Sequence, residues 1–167
     1  MNLYIDFDGV ILDTIPVLYD LLTENNINKK DEEKVSEFIS RLDWKKIIRS
    51  TPQINNSVNT IKKLMEIKYF NIAILTHVSS LEEAIEKIIY IEELIPDVTI
   101  IPVPKKISKT KMVHTKGSVL VDDYEKNLIE WEKEGGISIL FSRKEENSKY
   151  QVINHLEQLI EIFDKKI

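Results

Sequence analysis

Four short apolar runs constrain this fold more than any other feature of the chain: Ile72-Ala73-Ile74-Leu75, Val98-Thr99-Ile100-Ile101, Ser118-Val119-Leu120-Val121 and the run from Ile137 to Phe141. Most of these are continuous rather than alternating, as expected for strands buried on both faces. Helical patterns lie between them. Asn56 opens one with Val58, Ile61, Leu64 and Met65 on a single face. Ser80-Leu81-Glu82-Glu83 is a capping box, and Leu81, Ala84, Ile85, Ile88 and Ile89 keep helical spacing behind it. A short helix is predicted near Lys109 to His114, and a longer one from about Glu125 to Glu134, stopped by Gly135-Gly136. A last helix aligns Val152, Ile153, Leu156, Leu159, Ile160 and Phe163.

With a first strand leading to Asp6, this alternation predicts an α/β fold: a Rossmann-like parallel five-stranded sheet with helices on both faces. The stretch 14–55 interrupts it. Pro16 suits the first turn of a helix capped by Asp13 or Thr14, Asp31-Glu32-Glu33 opens a second, and Asp43 to Arg49 forms a third, with no strand among them. The expected organisation is therefore a core built from 1–13 and 56–167, with 14–55 inserted after the first strand as a small helical cap.

The first strand ends unusually, in Asp6-Phe7-Asp8-Gly9. Two like charges that close repel, and the common remedies are a cation or a shared proton. Glycine permits a sharp turn that aims amide groups at an anion. By itself this stretch reads equally as a metal site or as a wet turn. The other strands end in polar residues too: Thr76 after the second, Asp122 and Asp123 after the fourth, with Lys105, Lys106, Lys109 and Lys111 between the third and fourth. The carboxyl edge of an open parallel sheet is where ligands bind. Carboxylates without histidine or cysteine partners suit a hard, oxygen-seeking cation, Mg²⁺ before Zn²⁺.

In this order, Asp6-Phe7-Asp8-Gly9-Val10, Thr76, a lysine and Asp122-Asp123 resemble the four motifs of the haloacid dehalogenase (HAD) superfamily, over the whole chain. Asp122-Asp123-Tyr124 with Asn127, Trp131 and Gly135-Gly136 further resembles its deoxyribonucleotidase-like (C-type 5′-nucleotidase) branch. The resemblance implies Asp6 as the nucleophile that forms an aspartyl-phosphate, and Asp8 as the acid and base that serves the leaving alcohol and then water. It implies Mg²⁺ held by the side chains of Asp6 and Asp122 and the main-chain carbonyl of Asp8, with Asp123 binding through water or orienting its neighbours. Thr76 and amides near Phe7 and Asp8 would take phosphoryl oxygens. For the lysine the family pattern favours Lys109, then Lys111. An aspartate at position 8 is what phosphatases and phosphomutases of the superfamily share and its dehalogenases lack, and a small cap favours hydrolysis over mutase chemistry.

The implied function is a Mg²⁺-dependent phosphatase of a small phosphorylated substrate, with a (deoxy)nucleoside monophosphate as the nucleotidase-like option. The alternatives are another phosphorylated metabolite, nucleic-acid ends, or a non-catalytic binding protein on the HAD-like fold. A response-regulator receiver is disfavoured, since there the phosphorylated aspartate follows a middle strand. The net charge of −5 gives no basic footprint for nucleic acid. With no cysteine, disulfides and thiolate chemistry are excluded. No apolar run approaches bilayer length and no signal-peptide pattern is present, so a cytoplasmic location is expected. Arg41, Trp44, Lys45, Lys46 and Arg49 make a basic, aromatic patch that either faces the site or turns its charges outward with Trp44 packed inward. His77 reads as a wall residue and Trp131 as core. Oligomeric state is not legible.

Overall fold

The computed structural model describes residues 1–144 and 147–163. Six strands, β1 (Asn2–Ile5), β2 (Asn71–Val78), β3 (Thr99–Pro104), β4 (Val119–Asp122), β5 (Ile137–Phe141) and β6 (Gln151–Ile153), form one sheet in the order β3-β2-β1-β4-β5-β6. Every pairing is parallel. Alternate residues of each strand feed two separate cores. Leu3, Ile5, Ile74, Val119, Val121, Ile139 and Phe141 belong to one, while Tyr4, Ala73, Leu75, Leu120 and Leu140 belong to the other. Both faces are thus covered, which is why the strands read as unbroken apolar runs.

Helices α1 (Thr14–Glu24), α2 (Glu32–Ser40) and α3 (Trp44–Ser50) follow β1, and α4 (Ser57–Glu66) precedes β2. Ile39, Trp44, Ile47, Ile48 and Ile54, from the stretch expected as a cap, share the core that holds Leu3, Ile5 and Phe7. Trp44 is buried and its indole N–H donates to the Ile39 carbonyl at 3.1 Å. The charges around it face outward: Arg41 pairs with Glu37, and Arg49 grips Glu93 with two hydrogen bonds of 2.6 and 2.9 Å. Helix α5 (Leu81–Leu94) connects β2 to β3, α6 (Glu125–Lys133) connects β4 to β5, and α7 (Gln158–Phe163) ends the described chain. No described helix is long and apolar enough to cross a membrane.

Three expectations need correction. The sheet has six strands, not five, because Val152 and Ile153 lie in β6 rather than in the last helix; Phe141 pairs with Ile153, and the Ser142 amide donates to the Ile153 carbonyl. An apolar pair at adjacent positions suits a short strand as well as a helix turn, and here the neighbouring strand decides. Between β3 and β4 only a single 3₁₀ turn forms, Lys109–Lys111. The apolar run Val98-Thr99-Ile100-Ile101 predicts a strand that ends at Ile101, but β3 continues through Pro102 to Pro104 because an edge strand tolerates proline.

Helix α5 holds the largest surprise. Leu81, Ile85 and Ile89, three of the residues with helical spacing, are exposed, Leu81 at 76%. The buried positions are Glu83, Ala84, Lys87, Tyr90 and Ile91. The helix turns an ion pair inward.

Candidate active site

Sheet register gathers the polar strand ends. Ile5 stands opposite Ile74 on one side and Val121 on the other, so Asp6, Thr76 and Asp122 emerge at one edge. β1 lies between strands whose connections run in opposite directions, and ligands of open α/β sheets bind at such a switch point.

Beyond β1 the chain turns sharply. The Gly9 amide donates to the Leu12 carbonyl at 2.8 Å, and the amides of Ile11 and Leu12 return to Phe7. Gly9 has φ +74°, and a Cβ there would come within 2.1 Å of the Asp123 carboxylate. Glycine is therefore required both for the turn and for the approach of Asp123.

Asp6, Asp122 and Asp123 each present a carboxylate oxygen, all within 4.8 Å of one another. Lys109, 2% exposed, lies among them, with its ammonium 2.6 Å from Asp122 Oδ2 and 2.9 Å from Asp6 Oδ1. Asp122 is further held by the Asn127 amide at 2.9 Å and the Tyr124 main-chain N–H at 2.9 Å. Among the described residues the hydrogen bonds to Asp6 fall on Oδ1, which also accepts from the Phe7 N–H at 2.8 Å, and none falls on Oδ2. Burial pushes the Asp6 carboxyl up to about 7; Lys109 opposes this, and Asp122 and Asp8 add to it. Burial likewise pushes Asp123 up to about 8, reinforced by Asp6, Asp122 and Asp8. For Lys109 burial works against the charge, but Asp122 and Asp6 outweigh it and hold the ammonium above the usual lysine range.

One ammonium does not balance three carboxylates. A divalent cation would, and an all-oxygen donor set suits a hard one. The residues present therefore fit Mg²⁺.

Asp8 is placed apart from that trio. Its Oδ1 accepts from the Thr14 hydroxyl at 2.7 Å and its Oδ2 from the Lys87 ammonium at 2.5 Å. Thr76, fully buried, also meets Lys87, at 3.1 Å. Of the candidate lysines the structure brings Lys109 to the carboxylates. Lys111 is exposed, 3.9 Å from Glu134, and Lys105 and Lys106 are exposed as well. The His77 ring binds the Ile107 carbonyl at 2.9 Å, and burial lowers its pKa. Trp131 is fully buried, its N–H on the Ser118 carbonyl at 3.0 Å and its ring against Tyr4 at 5.4 Å between centroids. A Cβ at Gly136 would strike that ring at 2.3 Å.

Sequence reasoning missed Thr14, Glu83 and Lys87. Glu83 and Lys87 stand four apart on a helix, the usual spacing of an exposed pair, so only their burial singles them out.

No protein-family model matches the sequence, and no curated protein does. Solved structures do match its fold. A hydrolase from Pseudomonas syringae superposes with a TM-score of 0.66 at 11% identity, covering 99% of both chains. The magnesium-bound HAD-hydrolase YfnB from Bacillus subtilis gives 0.63 at 13%, covering 98% of both. A HAD phosphatase from Thermococcus onnurineus gives 0.62 at 16%, covering 97% of both, and a dehalogenase is also among the structures of similar shape. At these identities the likeness establishes the fold: the chain has the α/β architecture of HAD-superfamily hydrolases over nearly its whole length.

Proposed function

We propose that this chain is a Mg²⁺-dependent phosphatase that hydrolyses phosphomonoesters through a phosphorylated Asp6. The carrying observation is the division of labour between two aspartates two positions apart. Asp6 lies in the cluster with Asp122, Asp123 and Lys109, while the Asp8 carboxylate is held outside it by Thr14 and Lys87.

Asp6 attacks phosphorus with its unengaged oxygen as the ester bond breaks, giving an aspartyl-phosphate. Asp8 protonates the departing alkoxide, then takes a proton from the water that hydrolyses the intermediate. Lys109 offsets the negative charge that a phosphate brings to a carboxylate cluster. Thr76 donates its hydroxyl to a phosphoryl oxygen, beside amides near Phe7 and Asp8. Mg²⁺ would be held by Asp6 and Asp122, by the Asp8 main-chain carbonyl, and by Asp123 directly or through water. When bound, it supplies Lewis-acid polarisation of the phosphoryl group.

The dehalogenase reading is supported by fold alone, and Asp8 counts against it: attack on carbon requires no acid for an alkoxide. As substrate we propose a small phosphorylated metabolite, with a deoxynucleoside monophosphate as its nucleotidase-like form. Asn127 and Trp131 carry no weight for a nucleobase, since one orients Asp122 and the other is core. A phosphate-release screen over nucleotides, sugar phosphates and small phosphorylated acids, with Mg²⁺ and with EDTA, tests the reading. Turnover that needs Mg²⁺ and disappears in Asp6→Asn supports it; turnover retained in that variant overturns the assignment of Asp6. A preference for deoxynucleotides supports the nucleotidase form, and a preference for another class discards it.

A further inference from the structure

Lys87 is a second buried lysine, and the chemistry assigned so far makes no use of it. Its side chain is 0% exposed. Taking an ammonium out of water is expensive unless it is paired and fully hydrogen-bonded. Here four oxygens from three segments converge on one Nζ: Asp8 Oδ2 at 2.5 Å, Glu83 Oε1 at 2.7 Å, the His77 carbonyl at 3.0 Å and Thr76 Oγ1 at 3.1 Å. The rings of Phe7 and Trp44 flank it, 5.2 and 5.4 Å from the ammonium, and shield it from water.

The arrangement is braced behind the lysine. Glu83 is itself buried, and its other oxygen accepts the Ser79 N–H at 2.6 Å, tying it to the start of α5. Glu83 thus fixes Lys87, and Lys87 fixes Asp8 and Thr76. On Asp8 the second oxygen is held by Thr14, so the carboxylate is gripped from both sides. Each carboxylate oxygen still has a further acceptor position for a reacting proton. On Thr76 the effect is different. The Thr76 oxygen accepts from the ammonium while its O–H rests on the His77 carbonyl at 3.3 Å, a long bond that a phosphoryl oxygen can replace.

We propose that Lys87 is a positioning residue that joins the two halves of the reaction, aiming Asp8 at the leaving oxygen and making Thr76 a donor to the phosphoryl group. This rests on the phosphatase reading above and deepens it. Glu83 is the strut that holds Lys87 in place.

The test compares wild type with Lys87→Met, Glu83→Gln and the double variant, which removes the buried charges together. Folding is checked by circular dichroism. Steady-state rates are measured with Mg²⁺ on two esters: 4-nitrophenyl phosphate, whose leaving group departs without a proton, and an alkyl phosphate, whose alkoxide needs one. Loss of a placed general acid costs about 100-fold or more. Asp8 also serves the hydrolysis of the aspartyl-phosphate, a step both esters share, so the comparison is made on kcat/KM, which reports formation of that intermediate. Lys87→Met should lower it by about that factor on the alkyl ester and by less than about tenfold on the nitrophenyl ester. Inorganic phosphate should inhibit the variant more weakly, because Thr76 has lost its orientation. Glu83→Gln should show the same leaving-group dependence in milder form, and it carries the test if Lys87→Met does not fold. Equal losses of kcat/KM on both esters, in whichever variants fold, would overturn the role of Lys87 and leave the phosphatase reading standing. A wild-type protein inactive on both esters would overturn the phosphatase reading and the role of Lys87 with it.

Discussion

Raising the pH from about 4 to 8 should destabilise the metal-free protein, and Mg²⁺ should restore part of what is lost. In an unfolded chain an aspartate titrates near 3.9. In the folded protein burial and mutual repulsion hold Asp6 at about 7 and Asp123 at about 8. Through that window the folded state keeps protons that the unfolded state has released, so stability falls as pH rises and the fall is complete only above the folded values. A displacement of three to four pH units in one carboxyl corresponds to about 4–6 kcal/mol. The two acids are not independent, because neutralising one relieves the other, so together they should contribute on the order of one such group. At about 2–4 °C per kcal/mol for a chain of this size, the melting temperature should drop by roughly 10–20 °C. His77 works in the opposite direction, since a buried ring that resists protonation gains stability as pH rises toward the ordinary histidine value. Asp123→Asn isolates the carboxyl contribution: with one acid gone the fall should flatten. The assay is thermal unfolding in EDTA and in Mg²⁺ across this range. Mg²⁺ needs ionised ligands, so its gain should be larger at pH 8 than at 5.5, about 2.7 kcal/mol at a hundredfold excess over Kd. A melting temperature that rises with pH in EDTA for both wild type and Asp123→Asn, or a Mg²⁺ gain equal at both pH values, would refute the electrostatic account of the cluster.

Lys109→Met should lose activity and about 3–5 kcal/mol of stability in the metal-free protein, because it leaves the buried Asp6 and Asp122 without their cation. Lys111→Ala, whose ammonium is exposed, should change stability by less than about 0.5 kcal/mol and retain turnover; equal effects in the two variants would refute this assignment of the lysines. Gly9→Ala should cost about 1–2 kcal/mol from its left-handed backbone alone and should weaken Mg²⁺ binding by displacing Asp123, with titration calorimetry as the check. Trp131→Ala should cost about 3–5 kcal/mol in chemical denaturation while leaving the KM of the proposed phosphatase reaction unchanged in the folded protein. A raised KM there would return Trp131 to the substrate.

Much of the fold was legible because a parallel sheet leaves a strong local mark. Its strands are apolar on both faces, and β1, β2, β4 and β5 appear in the structure within a few residues of their apolar runs. Asp6, Thr76 and Asp122 were legible for a related reason: strand ends in such a sheet meet at one edge whatever the loops do. Local pattern was insufficient where two structures share it. β6 has only three residues, and Val152-Ile153 satisfies a helix as readily as a strand until Phe141 lies beside it. Helix α5 misleads more deeply. Leu81, Ile85 and Ile89 are periodic and apolar but face out, whereas Glu83 and Lys87 look like a surface pair but face in. What reverses the helix is the bonding of Lys87 to Asp8 and Thr76, 79 and 11 residues away, and that is invisible in the local sequence. Similarly, the sequence placed Trp44 on a short helix but gave no sign that its ring would flank Lys87.

The two prolines of β3 have a consequence for how this protein survives its own synthesis. The Lys105 amide donates to the Val78 carbonyl on the neighbouring strand, so the alternation of a strand turns positions 102 and 104 the other way, toward the open margin of the sheet. Proline has no N–H to offer there. A strand from another molecule approaching this margin would find two missing donors in succession. Parallel sheets assemble slowly from distant segments, and an unfinished margin is what newly made chains cling to. At the opposite margin β6 has only three residues to copy. The sheet therefore offers little template at either end, and in a crowded solution it should resist growing into its neighbours.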